Sequence, residues 1–325
     1  MDVSLDLEVL SNAISGLGVD EKSLVSILGN SHLEHRRSFR KENPKFFVED
    51  ERGFERCEDQ FLMHLKQEFT RFNNAVAMWT MHAWERDARM VKKALEKGPK
   101  SYNLIVEVTC TRSSHELLGA RRAYHSLFDR SMEEDVASHV HGPPRKLLVG
   151  LVSAYRYEGN RVNEKTAKSE AEALAETIGR EGHLAIENDE LVRILTTRSK
   201  LHLRHVFDLY SEISRAEIAE DATGSSVLSD TFLCLSRPSA YFSKLLDESL
   251  SEEADKKAKK WLTRVIVTRA DHADMRETIE EYHRLFGQSL AEKIETRTKG
   301  NYKDFLLTLL ARSDFNSSNE TSPLS

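Results

Sequence analysis

The sequence predicts an all-α fold, and three observations predict it. Apolar residues recur at three- and four-residue steps along "SEAEALAETIG" (169–179) and "DMRETIEEYHRLFGQSLAEKIE" (274–295), which gathers them on one face of a helix. Only 6 prolines interrupt the 325 residues, and no strand with turn signals on both sides stands out. One helix–turn–helix plan also returns at intervals of about seventy residues, stretched in places by insertions.

That plan is carried by "LIVEVTCTRSSHELLGARRAYHSLF" (104–128), "LVRILTTRSKLHLRHVFDLY" (191–210) and "LTRVIVTRADHADMRETIEEYH" (262–283). Each is an apolar helix closing on Thr-Arg or Thr-x-Arg, a short polar turn, and a second helix that reaches a tyrosine. Arg112 precedes Tyr124 by 12 residues, Arg198 precedes Tyr210 by 12, and Arg269 precedes Tyr282 by 13. "LVSILGNSHLEHRRSFR" (24–40) fits as a further copy, with Ser31 where the arginine stands elsewhere. The charged stretch "KENPKFFVEDERGFER" (41–56), holding Pro and Gly, lengthens the first copy. The polar stretch "YRYEGNRVNEKTAKSE" (155–170) reads as a linker between two halves, and "SDFNSSNETSPLS" (313–325) as a flexible tail.

Composition bounds the function. The formal net charge is −6 with 13 histidines counted neutral, which argues against constitutive binding to nucleic acid or to an anionic membrane. Attraction to anions then needs a local basic patch, acid pH or a bound cation. Cys57, Cys110 and Cys234 lack zinc-type spacing, so a reducing, cytoplasmic setting is expected. "MDVSLDLEVL" has no basic n-region or sustained apolar core, so it is not read as a signal peptide. No apolar run approaches the roughly 20 residues of a membrane-spanning helix.

The stretch "ISGLGVDE" (14–21) places two glycines around one leucine, followed by two acids. Alone it is either a helix-to-helix turn or a loop whose backbone closes on a ligand. A dinucleotide loop is disfavoured, because no strand precedes it and the glycine pattern is incomplete.

Taken together, "GLGVDEKSLVSIL", "VTCTRSSHELLGARRAYHS", "EEDVASHVHG", "KLLVGLVSAYRYEG", "ILTTRSK" and "LTRVIVTRA", in order and at repeat spacing, resemble the annexin family and look like a plant annexin. The resemblance covers residues 1 to about 312. It implies four repeats of five helices forming a curved disc, divided here as 1–88, 89–160, 161–248 and 249–312. It also implies calcium-dependent binding to anionic phospholipid, with peripheral recruitment from the cytoplasm. By the family pattern, Ile14, Gly16 and Gly18 supply carbonyl oxygens to Ca2+, Val19 stands where a threonine is usual, and Glu21 serves a weaker neighbouring site. Calcium takes such hard oxygen ligands. Three carbonyls carry no charge, and the family's carboxylate comes from the end of a later helix. "LKQEFTRF" (65–72) matches that segment and makes Glu68 the expected ligand in preference to Glu58, the extra spacing being the insertion at 41–56. Leu17, between the glycines, is either a minor core contact or a loop-tip residue that enters the lipid interface.

The other repeats depart from the pattern. "LEKGPKSYNL" (95–104) has one glycine followed by proline, with His139 near the expected acid position. "TIGREGHLAIENDEL" (177–191) has no facing Gly-x-Gly, although Asp221 lies three before Gly224. "SLSEEADKKAKKWL" (249–262) fills the fourth loop with lysines, and Arg297 stands three before Gly300 where an acid belongs. "KKAKK" is either a solvated helix face or a basic patch for anionic lipid or actin. One good calcium loop, in the first repeat, is therefore expected.

Trp79 and Trp84 are expected to pack at the repeat junction. Cys110 and Cys234 match cysteines linked in plant annexins to redox behaviour and a proposed peroxidase activity, but nothing around them signals a low thiol pKa. The histidine sometimes credited with that activity is displaced here, Asn30 taking its place and His32 following, so enzymatic activity is not expected. The alternatives to a calcium-dependent membrane binder are a helical scaffold for actin or a second annexin, and a membrane-associated calcium-conducting form. No nucleic-acid partner is expected.

Overall fold

In the computed structural model, residues 8–9, 12–13, 16–30, 38, 41, 44, 47–49, 55–57, 59–153, 156–222, 225–270, 272 and 274–319 are described. They fall into two compact units, Met1–Thr80 with Phe242–Ser325, and Met81–Tyr241. The stretch 155–170, expected between two halves, lies inside the second unit. The boundary expected at 88 falls within a helix, Ala83–Lys97.

The first unit holds α1 (Glu21–Asn30), a two-stranded ribbon, and α2 (Asp59–Thr80). The ribbon pairs β1 (Phe47–Glu49) with β2 (Glu55–Cys57) antiparallel, Phe47 opposite Cys57. It is a minor addition to an all-α fold, and three-residue strands are too short to show a period of two in sequence. The second unit runs through α3 (Ala83–Lys97), α4 (Asn103–Thr111), α5 (Ser114–Phe128), α6 (Met132–His139), α7 (Pro144–Ser153), α8 (Glu164–Glu181), α9 (Asp189–Thr197), α10 (Lys200–Ser214), α11 (Ile218–Asp221) and α12 (Ser226–Ser236). The first unit resumes at Phe242, within α13 (Pro238–Leu250), and continues with α14 (Ala258–Arg269), α15 (Asp274–Phe286), α16 (Leu290–Arg297) and α17 (Gly300–Asn319). The tail expected from 313 therefore continues a helix to Asn319.

The recurring sequence plan is a recurring cap. Thr111 ends α4, Arg112 is its C-cap, and Ser113 caps α5 through a reciprocal box in which the Ser113 Oγ accepts from Glu116 N and Glu116 Oε2 accepts from Ser113 N. Thr197 likewise ends α9 with Arg198 as its C-cap, and Ser199 caps α10 one way, its Oγ accepting from His202 N at 3.1 Å.

Each arginine of the plan finds an acid. Arg112 forks onto Asp87 (Nε–Oδ2 2.6 Å, Nη2–Oδ1 2.8 Å), both side chains 2% exposed. Arg198 meets Glu170, which His202 and Arg193 also hold. Arg269 turns instead to Asp274, five residues on. Each tyrosine donates its hydroxyl to an aspartate: Tyr124 to Asp135 at 2.6 Å, Tyr210 to Asp221 at 2.8 Å, and Tyr282 to Asp247 at 3.0 Å. These pairs satisfy polar groups that helix packing buries.

In the second unit α3 packs on α5, α8 on α10 and α4 on α12, around Val91, Ile105, Leu148, Leu174 and Phe232. In the first unit α2 lies against α14 and α17. Phe72 meets Phe305 edge to face at 6.0 Å, and the Arg312 guanidinium lies 5.3 Å from the Trp79 ring centre. Trp84 packs in the second unit between His82 and His115.

Candidate metal centre

The centre is built in the first unit. Gly16 and Gly18 have φ of 91° and 86°, left-handed values that side chains rarely adopt. The turn closes with Asp20 N donating to Ala13 O at 3.0 Å. Asp20 then caps α1, its carboxylate accepting from Ser23 Oγ (2.7 Å) and Ser23 N (3.2 Å). Those bonds from Ser23, helped by Lys299, hold its carboxyl below the usual aspartate range.

The loop is laid on the segment joining α16 to α17. Leu17 N donates to Arg297 O at 3.2 Å and Lys299 N donates to Leu17 O at 2.6 Å, a short parallel bridge centred on Leu17 and Thr298. The Lys299 ammonium reaches Asn12 O. A Cβ at Gly18 would collide with the Lys299 carbonyl, so close approach as well as φ calls for glycine there.

This seating favours the core-contact reading of Leu17 over the lipid-facing one. Its side chain is 5% exposed, held inward by backbone bonds on both sides. Val19 is buried as well, and its carbonyl accepts from Glu21 N at 3.1 Å. Glu21 turns towards α17, where its Oε2 accepts from Asn301 N at 3.4 Å. Ile14 and Glu58 lie outside the described residues.

Glu68 does meet the loop. Its Oε2 accepts from Gly18 N at 2.7 Å across 50 residues of sequence. It stands within the continuous α2, not at a helix end as the family pattern implies. Its carboxylate is almost wholly buried, and Arg71, one turn on, places Nε 2.9 Å from both oxygens. Arg71 Nη1 donates onward to Lys259 O in the first turn of α14, at 3.2 Å. Neither Arg71 nor the Asp20 cap was among the expected site residues. The signals were there, as an i,i+3 acid–base pair in "EFTR" and an aspartate three before a serine at a helix start.

Among the described residues no group of three or more His, Cys, Asp or Glu is gathered to hold a metal. A cation here would rest on carbonyl oxygens and the one Glu68 carboxylate, a donor set of hard oxygens that fits calcium. The Leu17 carbonyl is taken by Lys299, so among the described residues the glycine carbonyls on either side of it would be the donors to a cation.

The other loops are built differently. His139 is half-exposed, with Nδ1 2.8 Å from Asp135 O, while the buried Asp135 holds Lys92, Tyr124 and Arg130. Asp221 is taken by Tyr210, and Gly224 lies outside the described residues. In the fourth loop Asp255 accepts from Ala258 N at 2.6 Å, Lys257 sits 5.8 Å over Trp261, and Arg297 pairs with Glu252 at 2.9 Å. Cys110 and Cys234 are both buried. Burial pushes the Cys110 thiol up, against the redox reading, which needs an accessible thiolate.

A family model described as Annexin matches residues 86–151 and 241–309. Annexin D4 of Arabidopsis thaliana is 61% identical over 319 residues, covering 97% of this chain and 100% of that protein. Annexin-like protein RJ4 of Fragaria ananassa is 38% identical over 317 residues, covering 95% and 96%. Among solved structures, chicken annexin V superposes with a TM-score of 0.64 at 28% identity, covering 95% and 96% of the two chains. Annexin III superposes with 0.66 at 27% identity, covering 95% and 94%. Calcium-bound annexin (Sm)1, at 17% identity and TM-score 0.61 over 95% and 90%, shares the fold. With near-complete coverage at such identity, the chain belongs to the annexin family.

Proposed function

We propose that this annexin binds anionic phospholipid membranes in a calcium-dependent manner through the loop at 16–21 and Glu68. Annexins are known for calcium-dependent phospholipid binding, and the loop contact between Gly18 and Glu68 is the observation that carries the reading to this site. Bound calcium supplies the divalent charge that joins protein oxygens to lipid phosphate oxygens. The positive φ values let Gly16 and Gly18 present carbonyls that a regular helix would bond internally. The bridge to 297–299 fixes the loop, so little backbone freedom is lost on binding. Glu68 contributes the one negative charge. We assign the loop to the first of four repeats divided as 1–88, 89–160, 161–248 and 249–312, and the chain to a peripheral rather than an enzymatic role. No helix among the described residues is long and apolar enough to cross a membrane.

The test is co-sedimentation with phosphatidylserine vesicles across a calcium titration. The intact protein should sediment with calcium and remain in the supernatant with chelator. Glu68→Gln keeps the size and loses the charge, and should need at least about tenfold more calcium. Equal sedimentation with calcium and with chelator at neutral pH refutes the proposal.

A further inference from the structure

We propose that Arg71 is a built-in substitute for the divalent cation: it holds the Glu68 carboxylate until calcium arrives, and so sets how much calcium the loop needs. The inference rests on the reading of Glu68 as the site's carboxylate. Glu68 is buried at the loop with side-chain exposure of 2%. A buried carboxylate without a counter-charge is costly. Its only backbone donor among the bonds described is Gly18 N–H, and the full positive charge comes from Arg71, 2.9 Å from both oxygens. This is not an ordinary surface pair on one helix turn, because a second guanidinium nitrogen, Nη1, is held by Lys259 O, 188 residues away. Buried Tyr302 lies close enough to feel both charges, and its hydroxyl is already committed to Thr263 at 2.7 Å. The arginine therefore completes a closed set of contacts when no metal is present.

Two cations cannot share one carboxylate cheaply. With a divalent ion on Glu68, Arg71 is repelled and has to turn outward. Its side chain is 12% exposed, at the rim, so it has a way out to solvent. Calcium binding is then an exchange of one cation for another, weaker than binding to the same loop without the guanidinium. The exchange also releases Lys259 O at the start of α14, which ties the first loop to the lysine-rich segment beside it.

Calorimetric titration with calcium alone and thermal melting, both without lipid, test this on the full chain. Arg71→Gln retains amide donors for Glu68 and Lys259 O but no charge. It should bind calcium at least about tenfold more tightly than the natural protein. It should melt lower than the natural protein in chelator and show the larger calcium-induced rise in Tm. Arg71→Ala, checked by circular dichroism for retained helix, should behave alike. In Arg71→Gln with Glu68→Gln the gain should vanish. If Glu68→Gln weakens calcium binding while Arg71→Gln and Arg71→Ala leave it at the natural value, the exchange is refuted and the site stands. If Glu68→Gln binds calcium as the natural protein does, the site assignment itself falls and the exchange falls with it.

Discussion

The Arg112–Asp87 fork shows what a single side chain does in this molecule. Both partners are buried, and the bidentate geometry is available to arginine but not to lysine. Asp87→Asn removes the charge and leaves the guanidinium stranded, and should destabilise the protein by about 3–5 kcal/mol. Urea unfolding that finds less than about 1 kcal/mol refutes this. The arginine was legible in the sequence because it recurs after Thr in three copies, and at Arg112 and Arg198 the recurrence follows from a local cap. Its partner was not legible. Asp87 and Glu170 lie 25 and 28 residues before their arginines, while Asp274 lies five after its own, so spacing names no acid. Leu17 was left open between core and lipid for the same reason: its partners at 297 and 299 are some 280 residues away, and nothing beside it in the chain marks it as buried. Glu68 was singled out because "LKQEFTRF" resembles the family's cap segment, with the insertion at 41–56 accounting for the extra spacing, and its contact with Gly18 N joins residues 50 apart.

At the scale of elements, the copies at 104–128, 191–210 and 262–283 each fold as a helix pair, α4–α5, α9–α10 and α14–α15. The copy beginning near 249 keeps the helix pair α14–α15 and loses the glycine turn. Asp255 is spent on the start of α14, and Lys256, Lys257 and Lys260 stand exposed around it. These charges repel a divalent ion, and no tight backbone turn brings carbonyls together to offset them. Crystals soaked in calcium should therefore show an ion near Gly16, Gly18 and Glu68 and none between residues 251 and 260. An ordered ion in the latter stretch refutes the one-loop reading. The helices themselves were readable because apolar residues recur at three- and four-residue steps, and the structure adds the Ser or Asn caps at the starts of α5, α8, α9, α10 and α12. The ribbon was not readable, since three residues are less than any pattern needs.

For the whole molecule, the buried tyrosines predict how it responds to alkali. Tyr124, Tyr210, Tyr282 and Tyr302 all have raised pKa values, chiefly through burial, Tyr302 to about 12. The folded chain keeps these protons after the unfolded chain has released them at its ordinary value near 10. Their contribution is thus whole below pH 10 and is lost as pH rises towards 12. The urea midpoint should be lower at pH 11 than at pH 9, and an unchanged midpoint refutes it. A different consequence follows from the bridge between Leu17 and Thr298. The two strands of that contact are made at very different times. At roughly 5–20 residues per second, Lys299 emerges about 14–56 s after Gly18. Met81–Tyr241 is a continuous stretch and is fully synthesised in that interval, whereas the loop at 16–21 must wait. A nascent chain arrested before residue 297 therefore carries its proposed calcium loop unseated, and a polypeptide cut there would keep one unit whole and lose the other.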